Sequence, residues 1–181
     1  MSVSQLGRLG RGRVISQDYL EAHPGEYPVY SSQSLNEGIF GLIDTYDFEG
    51  EYVTWTTDGA FAGTVFFRNG RFNCTNVCGT IRPFESEDAK FLAGALSGRT
   101  ARHVSYVGNP KLMNNVMAKI DVPIPKDLTE QKMIVQKIEA AVLVLKSHGE
   151  DLRKLRQQKQ GLMQDLLTGR VRVKLAEPAS H

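Results

Sequence analysis

The stretch TEQKMIVQKIEAAVLVLKSHGEDLRKLRQQKQGLMQDLLT, Thr129 to Thr168, decides how the rest of the chain is read. Ile134, Ile138, Ala141, Leu145, His148, Leu152, Leu155, Lys159, Leu162 and Leu166 follow one another in steps of four and three. Apolar residues recurring at an average of about 3.5 form one narrow stripe on a helix, the stripe that packs against another helix. About 40 residues rising ~1.5 Å each make a rod of roughly 60 Å, longer than a domain of ordinary size can cover. The rod is therefore expected to position the module that precedes it and to bind a partner.

His148 and Lys159 are polar positions in that stripe, and Gly149 and Gly161 stand beside or near them. Polar seam residues fix the register and orientation of a helix pair, which suits a defined antiparallel pairing. The alternative is a kink near Gly149 that leaves two shorter helices, because glycine in a helix interior costs about 1 kcal/mol relative to alanine. His148 has no second metal-ligating residue at i+4.

Outward from the rod, 181 residues leave room for one domain with a substantial core, here 1–126, then the helix over 127–168 and a tail over 169–181. A net charge of +2 excludes little, so local clusters matter more. Arg8, Arg11 and Arg13 open the chain with no acid among the first thirteen residues, and Arg68, Arg71, Arg99, Arg102 and Lys111 fall in stretches that read as turns or loops. Such cations suit phosphate contacts, although surface charge is common everywhere. Cys74 and Cys78 have no second pair to complete a zinc site and read as reduced thiols. No apolar run approaches membrane-spanning length, and the N-terminus lacks the apolar segment of a signal peptide, so a cytosolic protein is expected.

The module reads as α+β with a mixed or antiparallel sheet. Residues 1–12 alternate glycine and arginine without a hydrophobic period and read as irregular, and the fold is expected to begin between Val14 and Leu20. Pro24, Gly25 and Pro28 read as a turn before a short extended piece at Tyr27 to Tyr30, and Ser31 to Ser34 as a polar loop. Strands are expected at Ile39 to Ile43, around Tyr52 to Trp55, and at Thr64 to Phe67, the last joined through Asn69-Gly70 to an antiparallel return over Arg71 to Val77. Gly79 to Pro83 adds a strand anchored by Ile81. Ser86 reads as the cap of a helix that buries Phe91, Leu92 and Leu96 and stops at Gly98. A short helix is expected from Pro110, and Ile120, Val122 and Ile124 alternate as a final strand that prolines confine to an edge. Asp127 and Glu130 then cap the long helix, and Gly169 ends it in a left-handed conformation.

A search for catalytic machinery returns nothing coherent. Asn109-Pro110-Lys111 lacks the second proline and aromatic ring with which an adenine methyltransferase holds a flipped base. Gly7, Gly10 and Gly12 precede any expected strand, unlike a cofactor-binding glycine fingerprint. Asp88-Ala89-Lys90 is like the tail of a nuclease motif but is sufficiently explained by helix capping. No P-loop is present, and no serine or cysteine has a credible histidine partner. A binding protein is the better expectation.

Four stretches carry a family resemblance: GEYPVYSS (Gly25 to Ser32), GEYVTWTTDGAFAGTVFFRNGRFNCTNVC (Gly50 to Cys78), VPIPKDLTEQKMIVQKIE (Val122 to Glu139) and QGLMQDLLTGRVRV (Gln160 to Val173). In this order they resemble the specificity subunit of a type I restriction-modification system, in a half-length form with a single target recognition domain. The resemblance implies a target recognition domain over 1–126 and a spacer helix over 127–168 that pairs antiparallel as a coiled coil in a homodimer; one domain and one helix where such subunits carry two of each imply either a half subunit that dimerises or the tail half of a divided gene. A two-fold dimer would read a bipartite, palindromic site in double-stranded DNA. It also implies no catalytic residue, metal or cofactor in this chain. S-adenosylmethionine would belong to a separate adenine-methylating modification subunit, and ATP with magnesium to a separate restriction subunit.

Base readout needs amide, hydroxyl or guanidinium groups on exposed loops. The expected base contacts are Ser31, Ser32, Gln33, Ser34 and Asn36, then Thr57 and Asp58, then Lys111, Asn114 and Asn115, with Arg68, Arg71, Arg99 and Arg102 on phosphates. Dimerisation would use Ile134, Ile138, Ala141, Leu145, Leu152, Leu155, Leu162 and Leu166. The seam alone also fits a different class, a coiled-coil adaptor with a protein-binding head.

Overall fold

Among the described residues eight strands fold into two four-stranded sheets, and the first strand begins at Gly7, after one short helix. The computed structural model describes residues 1–33 and 35–173; Ser34 and the end of the tail lie outside the described residues. Packing divides the chain into two units, Met1–Val135 and Gln136–His181.

In the first unit, residues 1–12 are ordered rather than irregular: α1 (Val3–Leu6) leads directly into β1 (Gly7–Arg11). Val3 and Leu6 are fully buried. The glycines that obscure this strand are what let it form, because a Cβ on Gly7 would lie 2.6 Å from the Arg82 carbonyl oxygen and one on Gly10 would lie 2.7 Å from Thr80 Oγ1. β1 pairs antiparallel with β8 (Cys78–Pro83), which pairs with β5 (Tyr52–Thr56), which pairs with β6 (Val65–Arg68). α2 (Gln17–Ala22), capped by Ser16, precedes the second sheet.

That sheet has the order β3 (Ile39–Ile43), β2 (Pro24–Tyr30), β7 (Arg71–Cys74), β4 (Phe48–Glu49). It is mixed, since β2 and β7 run parallel. Pro24 to Pro28, expected as a turn, belongs to β2. Its Gly25 passes so close to β3 that an added Cβ would sit 2.2 Å from the Asp44 nitrogen.

Asn69-Gly70 turns the chain, with Gly70 at φ +97°, but does not form the expected hairpin. β6 and β7 belong to different sheets. Gly50 and Gly70 instead exchange backbone hydrogen bonds at 3.0 and 3.2 Å, and the turn hands the chain from one sheet to the other. The dipeptide specifies the bend; the partners are chosen by strands far away in sequence.

α3 (Ala89–Ser97) covers the first sheet with Leu92, Ala93 and Leu96. Its cap is Asp88, two residues later than expected, whose carboxylate accepts from Phe91 N–H at 2.8 Å. The short helix α4 (Asn114–Met117) starts four residues after Pro110. The expected edge strand at 120–124 is an irregular segment clamped to the N-terminus: Val3 N–H donates to Ile120 O and Val122 N–H to Met1 O. Ile120 and Val122 join Val53, Trp55 and Ile81 in the main core. A second cluster of Tyr52, Phe72, Cys74 and Cys78 links the two sheets.

α5 (Leu128–Leu167) is one continuous helix of 40 residues, without a break at Gly149. Thr129 N–H donates to Asp127 Oδ1 at 2.8 Å at its start, and Gly169 at φ +72° follows its end. Its first turn is fastened by Gln131, wholly buried and fully used: Oε1 accepts from Asp88 N–H, while Nε2 donates to Pro125 O and to Glu87 Oε2. This amide ties the start of α5 to the rest of the first unit. In the second unit Ile138, Leu145, Leu152, Leu155, Leu162 and Leu166 are all exposed. Among the described residues no helix is long and apolar enough to cross a membrane.

Candidate nucleic-acid interface

The C-terminal ends of β1, β2, β5 and β7 and the start of β8 lead into loops that are tied to one another. Thr75 connects them: its N–H donates to Tyr30 O, its Oγ1 to Ser31 Oγ at 3.0 Å, and Arg13 forms a bridge to it. Two residues on, Val77 O accepts from Thr57 N–H. Thr57 O in turn accepts from Leu112 N–H, and Trp55 Nε1 donates to Leu112 O at 2.9 Å. A chain of hydrogen bonds thus joins the loops at 31–38, 57–63, 75–77 and 105–111.

Arg11, which ends β1, organises one part of this cluster. Its Nε donates to Asn76 O at 2.6 Å and its Nη2 reaches Thr57 Oγ1 at 3.2 Å and Asp58 Oδ2 at 3.3 Å. Lys111 Nζ stands 3.9 Å from the other oxygen of Asp58. One carboxylate is shared by two cations, so the local balance is positive. From Ala89 to Ile120 the chain carries Lys90, Arg99, Arg102, Lys111 and Lys119 and no Asp or Glu.

The expected contact residues divide by exposure. Gln33, Asn36, Arg99, Arg102, Lys111 and Asn115 are exposed, and Ser31, Ser32, Asp58 and Asn114 partly so. Ser34 lies outside the described residues. Thr57, expected on bases, is wholly buried, and its hydroxyl donates to Asp58 Oδ2 at 2.6 Å. It aims the carboxylate. Arg68, expected on phosphate, is only 5% exposed. Its guanidinium lies 3.6 Å from the Tyr30 ring centroid and 4.4 Å from that of Phe66, and it donates to Thr54 Oγ1 and to Glu37 O. Burial pushes its pKa down, opposed by the Tyr30 hydroxyl. Arg71 lies at the start of β7, away from the loops that follow its end, and pairs with Glu49 at 2.9 Å. Asn114 Nδ2 donates to Gly10 O, which leaves its oxygen buried without a partner.

Arg68 supports an unusual turn. Asn36 and Glu37 have φ +48° and +53°, and Gly38 follows at +82°. Left-handed backbone costs non-glycine residues roughly 1–2 kcal/mol each. The bond from Arg68 to Glu37 O and the one from Ser31 N–H to Gly38 O help hold it.

Three features escape the sequence reading: the anchoring role of Arg11, and the exposure of Tyr106 and of Val107. The Gly108-Asn109-Pro110 turn signal immediately after Tyr106 and Val107 could have placed them at a loop tip. Cys74 and Cys78 are buried free thiols, and the hydrogen bond between them, with burial adding to it, pushes Cys74 up. Among the described residues no group of three or more His, Cys, Asp or Glu is placed to hold a metal.

Two packed sheets presenting amide, hydroxyl and cationic groups on interlinked loops define a polar recognition module. The chain belongs to the family of the type I restriction modification DNA specificity domain, whose model matches residues 1–152. A protein of Mycoplasma pneumoniae named as the N-terminus of a type I specificity subunit is 50% identical over 125 residues, covering 68% of this chain and 65% of that protein. The specificity subunit of the type I restriction enzyme MpnII from the same organism is 39% identical over 133 residues, covering 72% of this chain and 40% of its own length. The fold is similar to that of a type I S subunit from M. genitalium, at TM-score 0.66 and 17% identity over 91% of this chain. It is also similar to a chain solved in work on assembly and conformational transition of the type I R-M system, at TM-score 0.68 and 15% identity. The chain spans 43% and 44% of those two solved chains.

Proposed function

We propose that this chain is a DNA-recognition half subunit of a type I restriction-modification complex. It reads one half of a bipartite target, dimerises through α5 as an antiparallel coiled coil, and directs separate modification and restriction subunits without chemistry of its own. S-adenosylmethionine and ATP with magnesium belong to those partners. The observation that carries the reading is the match of residues 1–152 to a DNA-specificity model over a module whose linked loops are rich in hydrogen-bonding groups and whose stretch from Ala89 to Ile120 carries cations and no carboxylate.

The dimer part is supported by α5. Six large aliphatic side chains at heptad spacing, Ile138 to Leu166, are exposed, and an apolar stripe of this extent calls for a covering surface. Two-fold pairing places identical heads on inverted half-sites. Mapping methylated adenines in a genome that carries this gene and its modification partner tests the reading. The expected result is one split motif whose halves are inverted repeats. A chain that stays monomeric and never associates with a methyltransferase sinks it. A coiled-coil adaptor, by contrast, would retain no DNA at any salt concentration.

A further inference from the structure

We propose that the loop Ser105–Lys111 enters the major groove and that Val107 at its tip reads a thymine through the C5 methyl group, with Tyr106 beside it. This rests on the DNA-recognition reading above and assigns one base contact within it.

The loop is built as a probe. Val104 and Leu112, at its two feet, are buried in the main core. Between them Ser105 and Lys111 exchange both backbone hydrogen bonds, at 2.8 and 2.9 Å. Gly59 N–H donates to Pro110 O, and Thr57 holds Leu112 on the other side. The feet are therefore fixed, and the turn is completed by Gly108 at φ +76°. At the tip Tyr106 is 71% exposed and Val107 92%. Most of the surface of both residues is left to solvent.

The surroundings select the occupant. Lys111 stands in the loop itself, and Arg99 and Arg102 lie just before it, all exposed. Thr100 Oγ1 donates to Gly63 O at 2.6 Å, which ties that basic stretch to the 57–63 turn. An apolar tip behind cations matches a polyanion whose interior offers an apolar feature. A loop with two closely bonded arms needs a groove that admits a two-stranded ribbon, which the major groove does and the narrower minor groove does not. Valine makes no hydrogen bond, and the apolar feature on a base edge in that groove is the thymine methyl.

The test uses the full chain bound to its methyltransferase partner and a randomised duplex pool, selected with wild type and with Val107→Ser. The expected outcome is that wild type enriches a motif containing a thymine that Val107→Ser no longer prefers. Replacing that thymine by deoxyuridine in a single duplex should weaken wild type roughly fourfold, the worth of about one buried methyl group, and leave Val107→Ser unaffected. If wild type enriches a motif and the variant enriches the same one at every position, the inference falls while the DNA-recognition reading stands. Loss of the methyltransferase from Val107→Ser with its motif intact also overturns it, since the tip would then face protein. A wild type that enriches no motif overturns both.

Discussion

Arg68 shows how one buried cation supports a candidate recognition loop it does not belong to. Its guanidinium is stacked on Tyr30 and bonded to the backbone of a left-handed turn, so truncation removes packing, a desolvated cation–π contact and a clamp together. Arg68→Ala should lower unfolding stability by roughly 2–4 kcal/mol, seen as a reduced urea midpoint at unchanged slope. Arg68→Lys should recover little of this, because an ammonium neither stacks as a plane nor spans two acceptors in a fork. A lysine variant as stable as wild type would contradict that account. Gly79 makes the opposite case, where nothing may be added. A Cβ there would lie 2.2 Å from Trp55 Cζ2, and Trp55 is fully buried with its Nε1 bonded to Leu112 O. Gly79→Ala should destabilise by about 3 kcal/mol, the upper range of an overpacked core. Trp55 is the only tryptophan, so its fluorescence reports the change directly.

Elements with a strong internal pattern, α5 and the strands at Ile39 and Tyr52, were legible because their signal lies within a few neighbouring residues. Those whose reason is a distant partner were not. β1 exists because Gly7 and Gly10 let it lie against β8, some seventy residues later, and no period in residues 1–12 records that. Asn69-Gly70 encodes a bend and the structure has one, but the hairpin the dipeptide suggests is absent for the same reason, because β6 and β7 take partners in different sheets. The candidate loops were legible because serine, asparagine, glycine and proline favour turns. Which side chains face outward was not: Thr57 and Arg68 are buried by contacts with residues such as Arg11, Tyr30 and Glu37, far from them in the chain. Within α5, Gly149 and Gly161 are accommodated without a break, and a Cβ at either would meet nothing within 4 Å. Gly149→Ala and Gly161→Ala should each stabilise the helix by about 1 kcal/mol, read as a higher midpoint of helix melting by circular dichroism. A decrease at either site would mean that the glycine admits a close partner.

At the scale of the whole molecule, the proposed dimer and the proposed DNA contacts make one joint prediction about salt. Each neutralised phosphate contributes a slope of about −0.9 to log K against log salt. Arg99, Arg102 and Lys111 are exposed cations within or just before the candidate loop 105–111, so two heads making these contacts would supply about six and a slope near −5. Leu152 lies in the middle of the exposed stripe. Leu152→Glu puts a charge where the seam requires an apolar residue, so it should leave a monomer and roughly halve the slope. Arg102→Ala should instead keep the dimer, weaken binding evenly across sequences and make the slope shallower by about 2, one contact per head. Fluorescence anisotropy on a labelled duplex carrying the mapped target, with sedimentation to give the oligomeric state, separates the two variants. If Leu152→Glu sediments as a monomer yet keeps the full slope, the two heads do not share one duplex, and α5 has some role other than pairing them across a split site.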